Sequence, residues 1–369
     1  MTVRAVSNNP TSPFYNANAP NLTGQVGSLT ALLDAVLVNG FTGFTNLGWS
    51  INQTTTNKRG YKQNLTGSNN TSGMLLYVDD TGPGAGGAKE ARVCGFETMS
   101  AITPTGTGQF PTSAQSTIGS GQLAVRKSTT ADSTVRYWTL VGNGQTIYLF
   151  IESGDSTVPL ATTAFVFGDF KSFKSSDQYA VIIIGRQAEN SGSSLNDPLH
   201  CLNYPGANNA IPTLGTTMFG HYVARHWTGT GGSIRVGKPC DMSRAHAAVL
   251  NSYYGSYTSE SQTQVTNGGV YLAMGRNASP YNWPAPNGPD GALGLTPVWI
   301  GHSYGLRGYL AGLWHPLHDR PCGHNDSFTV SGGNLNGKSL LAQNIQAYIL
   351  ASANADNGQT LVETSDTWT

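Results

Sequence analysis

Charged side chains are scarce in this chain: Asp, Glu, Lys and Arg make up 11% of its 369 residues, against roughly 25% in ordinary soluble proteins. The 20 basic and 20 acidic residues cancel, so the formal net charge is zero. Without a basic excess there is no electrostatic footprint for nucleic acid. The surface must be wetted by Ser, Thr, Asn, Gln and Gly, which repel one another little and lose little entropy when immobilised. Such a surface suits permanent assembly into a larger particle.

Cysteine is sparse too. Cys94, Cys201, Cys240 and Cys322 lie too far apart for a CxxC zinc ribbon or a thioredoxin motif. Two disulfides are possible on parity, but buried free thiols of a protein made in a reducing cytoplasm are the simpler expectation. No stretch reaches the ~18 apolar residues of a membrane span. The opening "MTVRAVSNNPTSPFYNANAP" has no apolar h-region, so a Sec signal peptide is not expected. A protein of this kind working outside a cell would leave by another route, such as lysis. No fixed-period repeat is visible, which disfavours a solenoid or a propeller.

What the chain has in plenty is glycine, 46 residues, punctuated by 18 prolines. Without a collagen period this means many tight turns between short strands. Seven Trp, 16 Tyr and 12 Phe supply enough bulk to fill a core. Residues 1–25 are polar and proline-broken and read as an extended arm. In "GSLTALLDAVLVNGF" the apolar positions Leu29, Leu32, Leu33, Val36 and Leu37 recur at helical spacing. Ser28 is the candidate N-cap of this helix over 28–38, and Asn39-Gly40 its stop. Beyond it, "GMLLYVDD", "EARVCGFETM", "QLAVRKS" and "TTAFVFGDF" are strand-like runs. "YWTLVGNGQTIYLFI" reads as a hairpin whose Asn143-Gly144 provides positive φ. "YAVIIIGRQ" reads as a strand buried on both faces.

The pattern collapses over 191–212, a linker or long loop, and a second β-rich stretch follows. "GKSLLAQNIQAYILASA" is open between helix and strand, and the tail offers one last strand. The expectation is therefore a mainly β protein with two sandwich-like regions, 26–190 and 213–369, a short N-terminal helix and an extended arm.

Several groupings could carry chemistry. His315, His318, Cys322 and His324, with His302 upstream, place zinc-compatible side chains at short spacing. Pro316 and Pro321 bar a helix there, and one compact run lacks the two separated ligand pairs of the usual zinc frameworks. The cluster therefore reads as a strand end and turn whose histidines bond backbone carbonyls, with a metal centre as the alternative. "GHSYG" around Ser303 has the spacing of a nucleophile elbow, but that motif needs a strand-to-helix turn. Here the context is strand, turn, strand. Asp79, Asp80, Asp169, Asp177, Glu189, Asp197 and Asp319 include no pair that spacing alone marks as a glycosidase dyad. "GPGAGGA" and "GTGGS" lack the lysine and helix of a phosphate loop. Trp227 and Trp283 could stack on sugars, or could anchor loops and subunit contacts. No catalytic residue, metal ligand or cofactor is assigned on these grounds.

Several segments together form a set with a wider resemblance. They are "ALLDAVLVNGF", "ARVCGFETMSAITPTGTGQFPT", "VRKSTTADSTVRYWTLVGNGQTIYLFI", "FVFGDFKSFKSSDQY" and "LRGYLAGLWHPLHDRP". The set resembles virion structural proteins of tailed bacteriophages and prophages, across most of residues 25–325. That resemblance implies a non-enzymatic component of a phage particle, placed in the tail, tail tip or baseplate and working through permanent interfaces. It would form a homo-oligomer within a symmetric assembly, folded in the host cytoplasm and released in the virion. A head decoration or neck protein, and a receptor-binding module for host-surface glycan, are the alternatives. The resemblance transfers no functional side chain.

Overall fold

The computed structural model describes residues 1–116, 118–155, 160–186, 189, 221–229, 234–235, 295–302, 305–316, 322–345 and 358–369. They form a mainly β protein in which two antiparallel sheets pack as layers on the two faces of a central antiparallel one.

The central sheet has seven strands, in the order Arg4–Ser7, Tyr137–Gly142, Thr146–Glu152, Thr163–Asp169, Val181–Ile184, His221–Val223 and Ile234–Arg235. Side chains along a strand alternate between faces, and here both faces are apolar. Ile147, Leu149 and Ile151 point into one cluster, whereas Tyr148 and Phe150 point into another. Val181 and Ile183 share the first cluster, and Ile182 and Ile184 the second. This is why the run "VIII" shows no polar alternation: the strand is covered on both sides by other layers.

On the first face lie the helix and a five-stranded sheet of Ser50–Thr55, Lys58–Lys62, Leu75–Asp79, Glu90–Phe96 and Leu123–Arg126. On the second lies a six-stranded sheet. Its strands are Lys171–Ser172, Leu295–His302, Gly305–Pro316, Ser327–Thr329, Ser339–Ile345 and Gly358–Glu363. The tail therefore adds a last strand, and "SLLAQNI" is a strand; residues 346–357 lie outside the described set.

The helix begins as an α-helix, Ser28–Leu33, and continues as a π-helix, Asp34–Asn39. Leu29, Leu32, Leu33, Val36 and Leu37 are all buried, as their spacing requires. The N-cap differs from expectation. Gly27 holds that position, and the Ser28 hydroxyl donates to the Thr23 carbonyl at 2.8 Å. The first helical amides go to a distant carboxylate, with Leu29 N–H and Thr30 N–H donating to Asp80 Oδ2 at 2.7 and 3.4 Å. At the other end the returning chain satisfies the free carbonyls. Leu47 N–H and Trp49 N–H donate to Val36 and Leu37, both at 3.0 Å.

The hairpin at 143–146 also closes differently. Neither Asn143 nor Gly144 has positive φ. Instead the Asn143 side chain accepts from Gln145 N–H and Thr146 N–H at 2.8 and 2.9 Å, while the Asn143 carbonyl accepts the Trp49 indole N–H at 2.9 Å. The Asn143 side chain thus takes the two amides that close the turn, leaving its carbonyl to a tertiary donor.

The first 25 residues run along their own chain. Arg4–Ser7 pairs with Tyr137–Gly142 as the edge of the central sheet, and the Pro20 carbonyl accepts the Trp138 indole N–H at 2.9 Å. Residues before and after 191–212 meet as well. Val181–Ile184 pairs with His221–Val223, and the Tyr148 hydroxyl donates to the Ala311 carbonyl at 2.7 Å. The linker itself, 191–212, lies outside the described residues.

Candidate functional site

Of the histidine–cysteine run, Cys322 and His324 can be placed in full. His302 and His315 are described only as strand positions in the antiparallel pair Leu295–His302 and Gly305–Pro316, and His318 lies outside the described residues. Cys322 to Asp326 form a turn leading into Ser327–Thr329. Asn325, at φ 65°, lets the chain fold back so that its N–H reaches the Ala342 carbonyl at 2.9 Å.

His324 is bonded at both ring nitrogens. Nδ1 accepts the Asn344 backbone N–H at 3.0 Å, and Nε2 faces Glu152 Oε1 at 3.3 Å. The expected partners were backbone carbonyls; the structure supplies an amide at Nδ1 and a carboxylate at Nε2. Glu152 also accepts Asn9 Nδ2 at 2.5 Å, tying the N-terminal arm into the same cluster.

Around this pair the polar groups answer one another. Gln359 Nε2 donates to the Cys322 carbonyl and to Asn344 Oδ1, at 2.8 and 2.7 Å. Gln343 Nε2 donates to Asn325 Oδ1 at 2.9 Å. The Cys322 thiol donates to Gln359 Oε1 at 3.7 Å, and burial, with Asp326 nearby, pushes its pKa up to about 12. A thiol held that high is protonated and a poor nucleophile at neutral pH. Among the described residues no group of three or more His, Cys, Asp or Glu side chains is arranged to hold a metal ion.

No protein-family model and no curated protein matches this chain.

Ser303 lies outside the described residues, between two strands that pair antiparallel with His302 opposite Gly305, a hairpin and not a strand-to-helix elbow. Trp227 is half-buried with its ring against His226, centroids 4.1 Å apart; Trp283 lies outside the described residues. Four of the carboxylates carry basic partners. Asp79 meets Lys58 at 2.8 Å, Glu189 meets Arg92 at 2.6 Å, Asp177 meets Arg307 at 2.9 Å, and Asp80 meets Lys127. Asp197 and Asp319 lie outside the described residues.

Asp169 is different. It is buried at the end of Thr163–Asp169 and accepts from three neutral donors: Ser68 Oγ at 2.5 Å, Gln63 Nε2 at 2.9 Å and Asn69 N–H at 3.2 Å. Burial outweighs these bonds and raises its pKa to about 6.

Sequence reasoning passed over the buried basic partners, Lys127 and Arg307, which are 0% and 1% exposed at their side chains. A faint signal existed. Lys127 lies just past the apolar "LAV", as Asp80 ends "LLYVDD", and a charge at the end of a buried strand needs a partner.

Proposed function

We propose that this chain is a structural component of a tailed-phage virion, in the tail, tail tip or baseplate, acting through permanent protein–protein interfaces and not as an enzyme. The observation that carries the reading is the state of His324 and Cys322. Of the histidine–cysteine run, the two side chains among the described residues are spent on holding a turn, with both His324 nitrogens bonded and the Cys322 thiol kept protonated. A low-charge surface over a layered β body suits assembly, and the quoted segments resemble virion proteins of such phages.

Cryo-electron microscopy of intact particles tests it. Density for this chain in the tail or baseplate is the expected outcome. Density on the shell or neck moves the protein to head decoration or connector, and absence from particles removes the structural reading.

A second reading, binding of host-surface glycan, is favoured by one feature. Phe173 is 58% exposed and its ring leans on Tyr309, centroids 6.0 Å apart, forming an aromatic ledge. Sugar CH faces stack on such ledges. Glycan-array binding that disappears in Phe173→Ala supports this reading, and an array without signal removes it.

A further inference from the structure

Lys127 and Asp80 are in direct contact through Nζ and Oδ1, with both side chains 0% exposed. Removing two charges from water is costly, and a simple ion pair seldom recovers the cost. Each partner is also locked in place. Asp80 N–H donates to the Asn57 carbonyl at 2.8 Å, its own carbonyl accepts Gly27 N–H at 2.9 Å, and Lys127 N–H donates to Lys89 at 2.9 Å. Nζ has a second fixed acceptor, the Gln25 carbonyl at 2.6 Å. The other carboxylate oxygen, Oδ2, faces the two backbone N–H groups of Leu29 and Thr30.

We propose that Lys127 and Asp80 are a covalent modification site, at which Nζ and Cγ condense after folding into an intramolecular isopeptide bond. An amine and a carboxylic acid react only when both are neutral, the acid carbon is electrophilic and bulk water is excluded. Burial drives both groups that way, raising the Asp80 carboxyl above its ordinary value and lowering the Lys127 ammonium below its own.

The steps balance without a co-reactant. One ammonium proton passes to Oδ1, leaving an amine and a carboxylic acid. The Nζ lone pair adds to Cγ, the N–C bond forms, and negative charge gathers on Oδ2. There the Leu29 and Thr30 N–H groups stabilise it, as donors aimed at a developing oxyanion do. A second Nζ proton moves to Oδ1, the Cγ–Oδ1 bond breaks, and water leaves. The amide keeps one N–H for the Gln25 carbonyl. Two buried charges have become one neutral, hydrogen-bonded group, which is the thermodynamic drive.

The bond would staple together parts of the fold that hydrogen bonds hold separately. Asp80 directly follows the strand Leu75–Asp79 and Lys127 directly follows Leu123–Arg126, and these two strands flank Glu90–Phe96 on opposite sides. A covalent tie there also anchors the start of the helix.

The test is the mass of the full-length chain, purified folded, then denatured and reduced. The expected mass is one water below that of the sequence. Trypsin should then yield a branched species joining Gln63–Lys89 to Lys127–Arg136, because an acylated Lys127 is no longer a cleavage site. Lys127→Arg keeps the charge but has no nucleophilic amine, and should restore the full mass and the linear peptides. Full mass with linear Gln63–Lys89 and Ser128–Arg136 from the folded native chain overturns the proposal. That readout needs no variant, so it decides the matter even if Lys127→Arg does not fold. Loss of water without the branched peptide also overturns it.

Discussion

Arg307 and Asp177 meet in two parallel hydrogen bonds, each 2.9 Å, with the guanidinium side chain 1% exposed and the carboxylate 0%. The pair joins the six-stranded sheet to the loop before Val181–Ile184 of the central one. Arg307 Nη1 donates to the Arg225 carbonyl at 2.6 Å, and the guanidinium lies over the Phe170 ring at 5.3 Å. Ser172 Oγ and Tyr179 N–H complete the Asp177 side. A fork-to-fork pair with its other valences satisfied is the geometry in which a buried ion pair can hold its own.

Removing one partner leaves the other charge buried and unpaired. Arg307→Ala is expected to cost about 3–5 kcal/mol of unfolding free energy, read from denaturant titration at neutral pH. The double variant Arg307→Met/Asp177→Leu should recover much of that loss. A single variant within about 1 kcal/mol of wild type would show that the pair contributes little.

The same pair sets a pH dependence. Burial works to raise the Asp177 carboxyl, but the Arg307 bonds and charge, with Ser172 and Tyr179, prevail and hold it below its ordinary value. Its contribution is therefore present above the unfolded carboxylate range and lost as pH falls through the folded value. Arg307→Ala should flatten the acid limb of stability against pH. An unchanged acid limb would count against it.

Asp169 works in the opposite sense. Its folded pKa is raised to about 6 by burial, against its three neutral donors. Its stabilising effect is full below the unfolded value of about 3.9 and is lost as pH rises through 6. Asp169→Asn cannot ionise, so its stability relative to wild type should improve by on the order of 2–3 kcal/mol between pH 4 and pH 7. Melting curves at those two pH values check the slope, whatever the absolute effect of the amide on Ser68, Gln63 and Asn69.

Thiol chemistry reports on the turn. Burial raises the Cys94 thiol, and burial with Asp326 raises that of Cys322. Both should resist alkylation in the folded protein at pH 8 and react fully in denaturant, as peptide mapping would resolve. Treatment with a chelator should leave the melting temperature unchanged, since His324 and Cys322 are committed to Asn344, Glu152 and Gln359. A drop on chelation would put a metal back at this turn.

The helix tests the layer packing. Leu32 is fully buried among the first-face residues, so Leu32→Ala should cost about 2–5 kcal/mol. The exposed neighbour Ala31 provides the control: Ala31→Ser should change stability by less than about 1 kcal/mol. Similar losses at both positions would contradict the burial pattern.

Periodicity and turn chemistry are local properties, and they carried the local structure. The 3–4 spacing of Leu29, Leu32, Leu33, Val36 and Leu37 set the helix and its buried face, Gly40 ended it, and β-branched and aromatic runs marked the strands. The unbroken run at Val181–Ile184 even announced burial on both faces. What no local pattern contains is the choice of long-range partner. The cap of the helix comes from Asp80, 51 residues from Leu29, and the Asn143 turn is completed by a tryptophan 94 residues away. Arg307 finds Asp177 across 130 residues, and His324 finds Glu152 across 172. In sequence none of these residues carries a mark of the partner it will meet. Burying such a residue in a layered core requires a partner, and only the stacking of the three sheets decides which residue that partner is.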